Sequence, residues 1–108
     1  MSRADNLLSH LAQECAEVAI RCTKAQMFGL LEVQPDQSLT NAERIAEELC
    51  DLYATVEELR VAGLLPLMYE NDRQDRITAK QHKARKFRKY SRELGRLVSA
   101  APDSQESD

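Results

Sequence analysis

Apolar residues recur at steps of three and four through three stretches of the chain, the spacing that lines them along one face of an α-helix. In the first stretch, about Asn6 to Gln26, they are Leu8, Leu11, Cys15, Val18 or Ala19, and Cys22. Gly29 supplies a stop signal, and Glu32 to Leu39, with Pro35, Asp36 and Ser38, reads as a loop. The second stretch has a start signal: Thr40 or Asn41 can cap it, and Thr40 with Glu43 has the spacing of a capping box. Its stripe is Ile45, Leu49, Leu52, Val56 and Leu59, closed by Gly63 and Pro66. The third stretch, about Arg76 to Val98, repeats Ala84, Phe87, Tyr90 or Ser91, Leu94 and Leu97, with a short helix around Leu65 to Asn71 expected to lead into it. Residues 99–108 hold only small and polar residues and read as a disordered tail.

Composition agrees with the periodicity. Aromatic residues make up 5% of the 108, and there are only three Gly and three Pro, so strand material is scarce. The expected class is all-α, a single domain over residues 1–98 built as a bundle of two long antiparallel helices plus a third. A domain of this length buries only about 65% of its unfolded surface, so its core is thin. Self-association is therefore expected, as a homodimer completing a four-helix core or as a homotetramer. The three cysteines, Cys15, Cys22 and Cys50, form no Cys-x-x-Cys pair and read as reduced core residues. The N-terminus has no secretory pattern, and the longest apolar run, Ala62 to Met68, is interrupted by Gly63 and Pro66. The expectation is a cytoplasmic protein without a membrane segment.

Charge is unevenly placed. Net charge is −3, yet residues 1–72 hold 5 basic and 13 acidic side chains, while residues 73–108 hold 10 basic and 5 acidic ones. Within the acidic part, Glu14 with Glu17 and Glu48 with Asp51 each stand three residues apart, about 5–6 Å on one helix face. Each pair runs beside its helix's apolar stripe. Packing the two stripes together gathers the four acids on one seam, where they cannot all stay ionised without a counter-charge. A hard divalent cation with oxygen ligands meets that need, whereas no His/Cys set accompanies the acids to favour zinc. The competing reading is that these acids are solvated helix faces.

The acid pattern sits in a longer context. The runs "LLSHLAQECAEVAIRCTKAQMFGLLEVQP" and "LTNAERIAEELCDLYATVEEL", and the later "KARKFRKYSRELGRL", resemble the short phage and bacterial members of the MazG-like all-α nucleoside triphosphate pyrophosphohydrolase superfamily. The likeness covers roughly residues 6–97. It implies Mg²⁺, with Mn²⁺ as a substitute, held by Glu14, Glu17, Glu48 and Asp51. Where that family often begins its motif with two glutamates, this chain has Gln13 in the first place, which removes a base from that position.

The resemblance implies hydrolysis of a nucleoside triphosphate to a monophosphate and pyrophosphate, a nucleotide housecleaning activity. Glu17 or Glu48 is the candidate proton acceptor. Lys24, seven residues after Glu17 and about 10 Å further along the helix, suits an elongated triphosphate. The resemblance places Lys80 and Lys83 as further phosphate partners, and Asn41 is a candidate base or sugar contact. The rival reading is a non-catalytic module using the basic 73–96 helix on nucleic acid or a protein partner. Nucleic acid is not expected, because Phe87 and Tyr90 lie on the apolar stripe and should be buried, and because the first 72 residues oppose a polyanion.

Overall fold

A computed structural model describes residues 1–66 and 70–97. It is helical throughout the regular elements among those residues: α1 (Arg3–Phe28), α2 (Asn41–Val61) and α3 (Glu70–Glu93). The chain divides into two compact units, Met1–Leu67 and Met68–Asp108. No described helix is long and apolar enough to cross a membrane. The expected tail at 99–108 and residues 67–69 of the expected bridging helix lie outside the described residues; Glu70 and Asn71 belong to α3, which begins earlier than its stripe indicated.

In the first unit α1 and α2 pack on each other. Both ends of α1 are tied locally. The Ser2 hydroxyl accepts from the Asp5 backbone N–H at 3.1 Å, and Gly29, at φ 100°, donates its N–H to the Ala25 carbonyl at 2.8 Å. α2 opens with the expected capping box. The Glu43 N–H donates to Thr40 Oγ1 at 3.1 Å, and the Thr40 N–H donates to Glu43 Oε1 at 2.9 Å. These bonds to Thr40 hold the Glu43 carboxyl below its ordinary pKa, the backbone bond first. At the other end Gly63, at φ 75°, lets the Leu64 N–H reach the Leu59 carbonyl, so the freed carbonyls of the last turn are satisfied.

The packing stripes differ from the expected ones. On α1 the half-buried and buried positions include Leu7, Leu11, Glu14, Val18, Arg21 and Ala25, while Leu8, Cys15, Ala19 and Cys22 are exposed. On α2 they include Asn41, Ile45, Glu48, Leu52, Thr55 and Leu59. Both series step by four, three, four, three, four. The helices therefore meet along the acid-bearing edge of each apolar stripe rather than along its centre. The reading of the cysteines as core residues is corrected with it: Cys15, Cys22 and Cys50 are free thiols on the surface of this chain. Thr55 fits the buried seam because its hydroxyl donates to the Asp51 carbonyl at 3.2 Å. Leu59 is the one fully inaccessible large side chain among the described residues.

In the second unit α3 carries nine Lys and Arg residues over its 24 positions. It ends at Gly95, φ 73°, with the Arg96 N–H on the Ser91 carbonyl. The expectation that its aromatic stripe is buried does not hold: Phe87 is 62% and Tyr90 58% exposed, and Leu94 is exposed beside them. Its half-buried positions lie instead around Ala84, Arg88 and Ser91.

Candidate metal centre

The acid-bearing edges of α1 and α2 bring Glu14, Glu48 and Asp51 together. Each offers a carboxylate oxygen, and those oxygens all lie within 4.8 Å of one another. Glu14 and Glu48 are half-buried in the helix seam, and Asp51, one turn along α2 from Glu48, is exposed at its rim. Glu17, one turn along α1 from Glu14, is half-buried and stands outside this tight group. It still acts on it electrostatically. The Glu48 carboxyl is pushed above its ordinary pKa, first by partial burial and then by the negative charges of Asp51, Glu17 and Glu14. Arg21 works the other way, pulling the Glu48 pKa down.

Arg21 is the residue the sequence reading passed over. It is half-buried in the seam, and its charge bears on Glu48. The signal was present in the spacing, since Arg21 stands seven residues after Glu14, on the same edge of the helix.

The donor set fits a hard divalent cation. All three groups are carboxylates on the sides of two packed helices, and neither His nor Cys joins them. Two oxygens on opposite sides of Mg²⁺ stand about 4.2 Å apart, twice the usual bond length of about 2.1 Å. The observed spread, within 4.8 Å, is of that order. An exposed oxygen at Asp51 leaves one side of the cluster open to solvent, which Mg²⁺ chemistry needs for water and phosphate.

The remaining candidates are placed less closely. Lys24 is half-buried on α1, seven residues beyond Glu17. Lys80 and Lys83 belong to α3 in the second unit, where the Lys83 ammonium lies 5.9 Å from the centre of the Phe87 ring. Asn41 is buried, and its side-chain Nδ2 donates to the Gly29 carbonyl at 2.8 Å and to Glu32 Oε1 at 3.2 Å. The first backbone donors of α2 are committed as well: Asn41 N–H to the Glu32 carbonyl, Ala42 N–H to Leu30, Glu43 N–H to Thr40 Oγ1 and Arg44 N–H to the Thr40 carbonyl. Asn41 thus anchors the loop, and the α2 N-terminus has no spare N–H for a phosphate.

Comparison with protein families, with characterised proteins and with solved structures finds no match to this chain.

Proposed function

We propose that this protein is a Mg²⁺-dependent nucleoside triphosphate pyrophosphohydrolase, converting a (d)NTP and water to the monophosphate and pyrophosphate. The observation that supports it is the convergence of Glu14, Glu48 and Asp51 within 4.8 Å from two different helices. The resemblance of the two acid-bearing segments to MazG-like enzymes supplies the reaction class, and nucleotide-pool housecleaning as its role.

In this reading the two long helices run antiparallel, joined by the 29–40 loop, and present Glu14, Glu48 and Asp51 as ligands with Glu17 completing the set. A divalent ion there, Mg²⁺ or Mn²⁺, supplies charge neutralisation to phosphate oxygens and lowers the pKa of water. Glu48, whose pKa is raised first by partial burial and then by its acidic neighbours, and Glu17 are the candidates to take a proton. Lys24 carries positive charge along the same edge of α1 toward the distal phosphates, and Lys80 and Lys83, in the second unit, are the further phosphate partners that the resemblance implies. Arg21 balances the acids from within the seam. Asn41 acts by fixing the loop.

The test is a panel of nucleoside triphosphates assayed for pyrophosphate release with Mg²⁺, using wild type and Glu48→Gln. Release by wild type that chelation and Glu48→Gln both abolish supports the reading. Equal activity in the two proteins removes Glu48 from the site, and no release from any nucleotide removes the enzyme.

A second reading has its own observation. Exposed Phe87 and Tyr90 stand with Lys83 and Lys86 around a hollow of about 470 Å³ on the basic helix. Ring faces beside ammonium groups suit a single-stranded nucleic acid or an acidic protein partner. Salt-dependent binding of an oligonucleotide, lost on Phe87→Ala, with no nucleotide turnover, would favour this non-catalytic module.

A further inference from the structure

Along one edge of α1 the charge changes sign. Glu14 and Glu17 come first, and Arg21 and Lys24 follow, each seven residues after one of the acids. Seven residues are about two turns, so each cation repeats the angular position of its acid about 10 Å further along the axis. All four side chains are half-buried. Side chains on a helix lean toward its N-terminus, which carries both cationic heads toward the acids, and the Arg21 charge is felt at Glu48. Yet among the described residues Arg21 makes no ion pair and no hydrogen bond, and neither does Lys24. Arg44 and Arg60 show the contrast: one donates to Gln34 Oε1, the other to Glu57. A guanidinium drawn partly out of water needs acceptors to replace the water it lost. The fold sets Arg21 beside three carboxylates and pairs it with none of them.

We infer that Arg21 and Lys24 form a diphosphate site, which takes the β- and γ-phosphates of the substrate and the pyrophosphate they become, with Arg21 as its specificity-determining residue. The inference rests on the proposed hydrolysis for the source of that diphosphate. Charge calls for such a site. Glu14, Glu48 and Asp51 outweigh a single divalent cation, so a polyphosphate approaching the cluster still meets net negative charge. Two fixed cations on the same edge reverse that. Arg serves better than Lys here, because its planar fork stays charged and grips phosphate oxygens in pairs. Lys24, one turn on, adds a point charge for the terminal phosphate. The order along α1, acids then cations, matches the order along the substrate, the reacting phosphate then the two that leave. A triphosphate reaches both cations and a monophosphate neither, so the edge selects for chain length.

Calorimetric titration of the full chain with inorganic pyrophosphate at saturating Mg²⁺ tests this without any need for turnover. Wild type should bind. Arg21→Gln should bind about ten- to a hundredfold more weakly, the range for losing charge-assisted hydrogen bonds. Arg21→Lys, which keeps the charge and loses the fork, should fall between them. Arg3→Gln makes the same charge change at an exposed place at the start of α1 and should match wild type. Mg²⁺ titrated alone should bind Arg21→Gln at least as tightly as wild type, since a cation beside the acids is gone. The inference is overturned if wild type binds no pyrophosphate, if Arg21→Gln binds it equally well, or if Mg²⁺ affinity falls along with it. Arg21→Lys equal to wild type also overturns it, leaving Arg21 as charge balance alone; this variant keeps the seam's charge and decides the matter should Arg21→Gln not fold. The two readings fail separately. Pyrophosphate binding with the expected pattern, but no release from any nucleotide, keeps the diphosphate site and removes the hydrolase. Nucleotide turnover inhibited equally by pyrophosphate in wild type and Arg21→Gln keeps the hydrolase and removes Arg21.

Discussion

Glu14 and Glu48 occupy the same step of two matching series, each the third member of a four-three-four run of inward-facing positions on its helix. Two carboxylates consequently meet Asp51 in the middle of a seam where coiled helices ordinarily place aliphatic side chains. The arrangement opposes helix packing in the absence of a cation, and the effect is measurable.

Glu48→Gln keeps the shape of the side chain and removes one negative charge. Pyrophosphate release should fall by about a hundredfold or more, the range for losing a group that handles a proton or an ion at a reacting centre. Titration calorimetry should show weakened Mg²⁺ binding in the same variant. Undiminished binding would take Glu48 out of the ligand set.

Glu48→Leu should have the opposite sign for stability. Its raised pKa means that the folded chain holds the Glu48 proton more tightly than the unfolded chain does. Stability from this group is therefore full at low pH and declines as pH rises from the ordinary carboxylate value through the raised one. With a chelator at neutral pH, Glu48→Leu should be more stable than wild type by about 0.5–2 kcal/mol, and the advantage should shrink as the pH is lowered toward 4.5. A urea midpoint series across pH reads this directly. A variant less stable than wild type at pH 7 would show that the carboxylates are not in conflict.

Asn41→Ala removes a buried amide that bonds the Gly29 carbonyl and the Glu32 carboxylate. The expected cost is about 1–3 kcal/mol, since both acceptors lose a partner in a half-buried place. If Asn41 acts only through the loop, any change in nucleotide turnover should follow the loss of folded protein. A raised KM in fully folded variant would instead place it against substrate.

Leu59→Ala leaves a hole where the chain has its most enclosed side chain. A loss of about 2–5 kcal/mol is expected, enough to unfold a thin domain at ambient temperature. Circular dichroism of the purified variant checks it. Val61→Ala, two residues on and 75% exposed, serves as the comparison and should be close to neutral.

Helix positions were legible because their signals are local. Thr40 and Glu43 cap α2 where their spacing placed them, and Gly29 and Gly63 end helices where positive φ is needed. The meeting of Glu14, Glu48 and Asp51 was also foreseeable, since i, i+3 and i+7 spacing fixes which edge a residue lies on. Rotation of each helix about its axis was not. Leu8, Cys15 and Cys22 form as good a stripe as Leu7, Leu11 and Val18, and only the packed partner selects between them. The aromatic side of α3 was misjudged for a related reason. A sequence shows that Phe87, Tyr90 and Leu94 share a face, but whether anything covers that face depends on tertiary placement. Asn41 looked like a cap or a ligand because its distant partners, Gly29 and Glu32, cannot be inferred from helix spacing.

The bonds from Asn41 and Ala42 to Gly29, Leu30 and Glu32 pin both feet of the interhelical loop at its base. Between those feet Gln34 is tied to α2 as well, its Oε1 accepting from Arg44 Nη1 at 3.1 Å, which leaves residues 35–38 as the lobe's exposed tip. Lengthening that lobe adds only the entropy of a larger ring, about 0.6 kcal/mol for each doubling. Peptides or probes grafted at that tip should therefore leave Glu14, Glu48 and Asp51 in place.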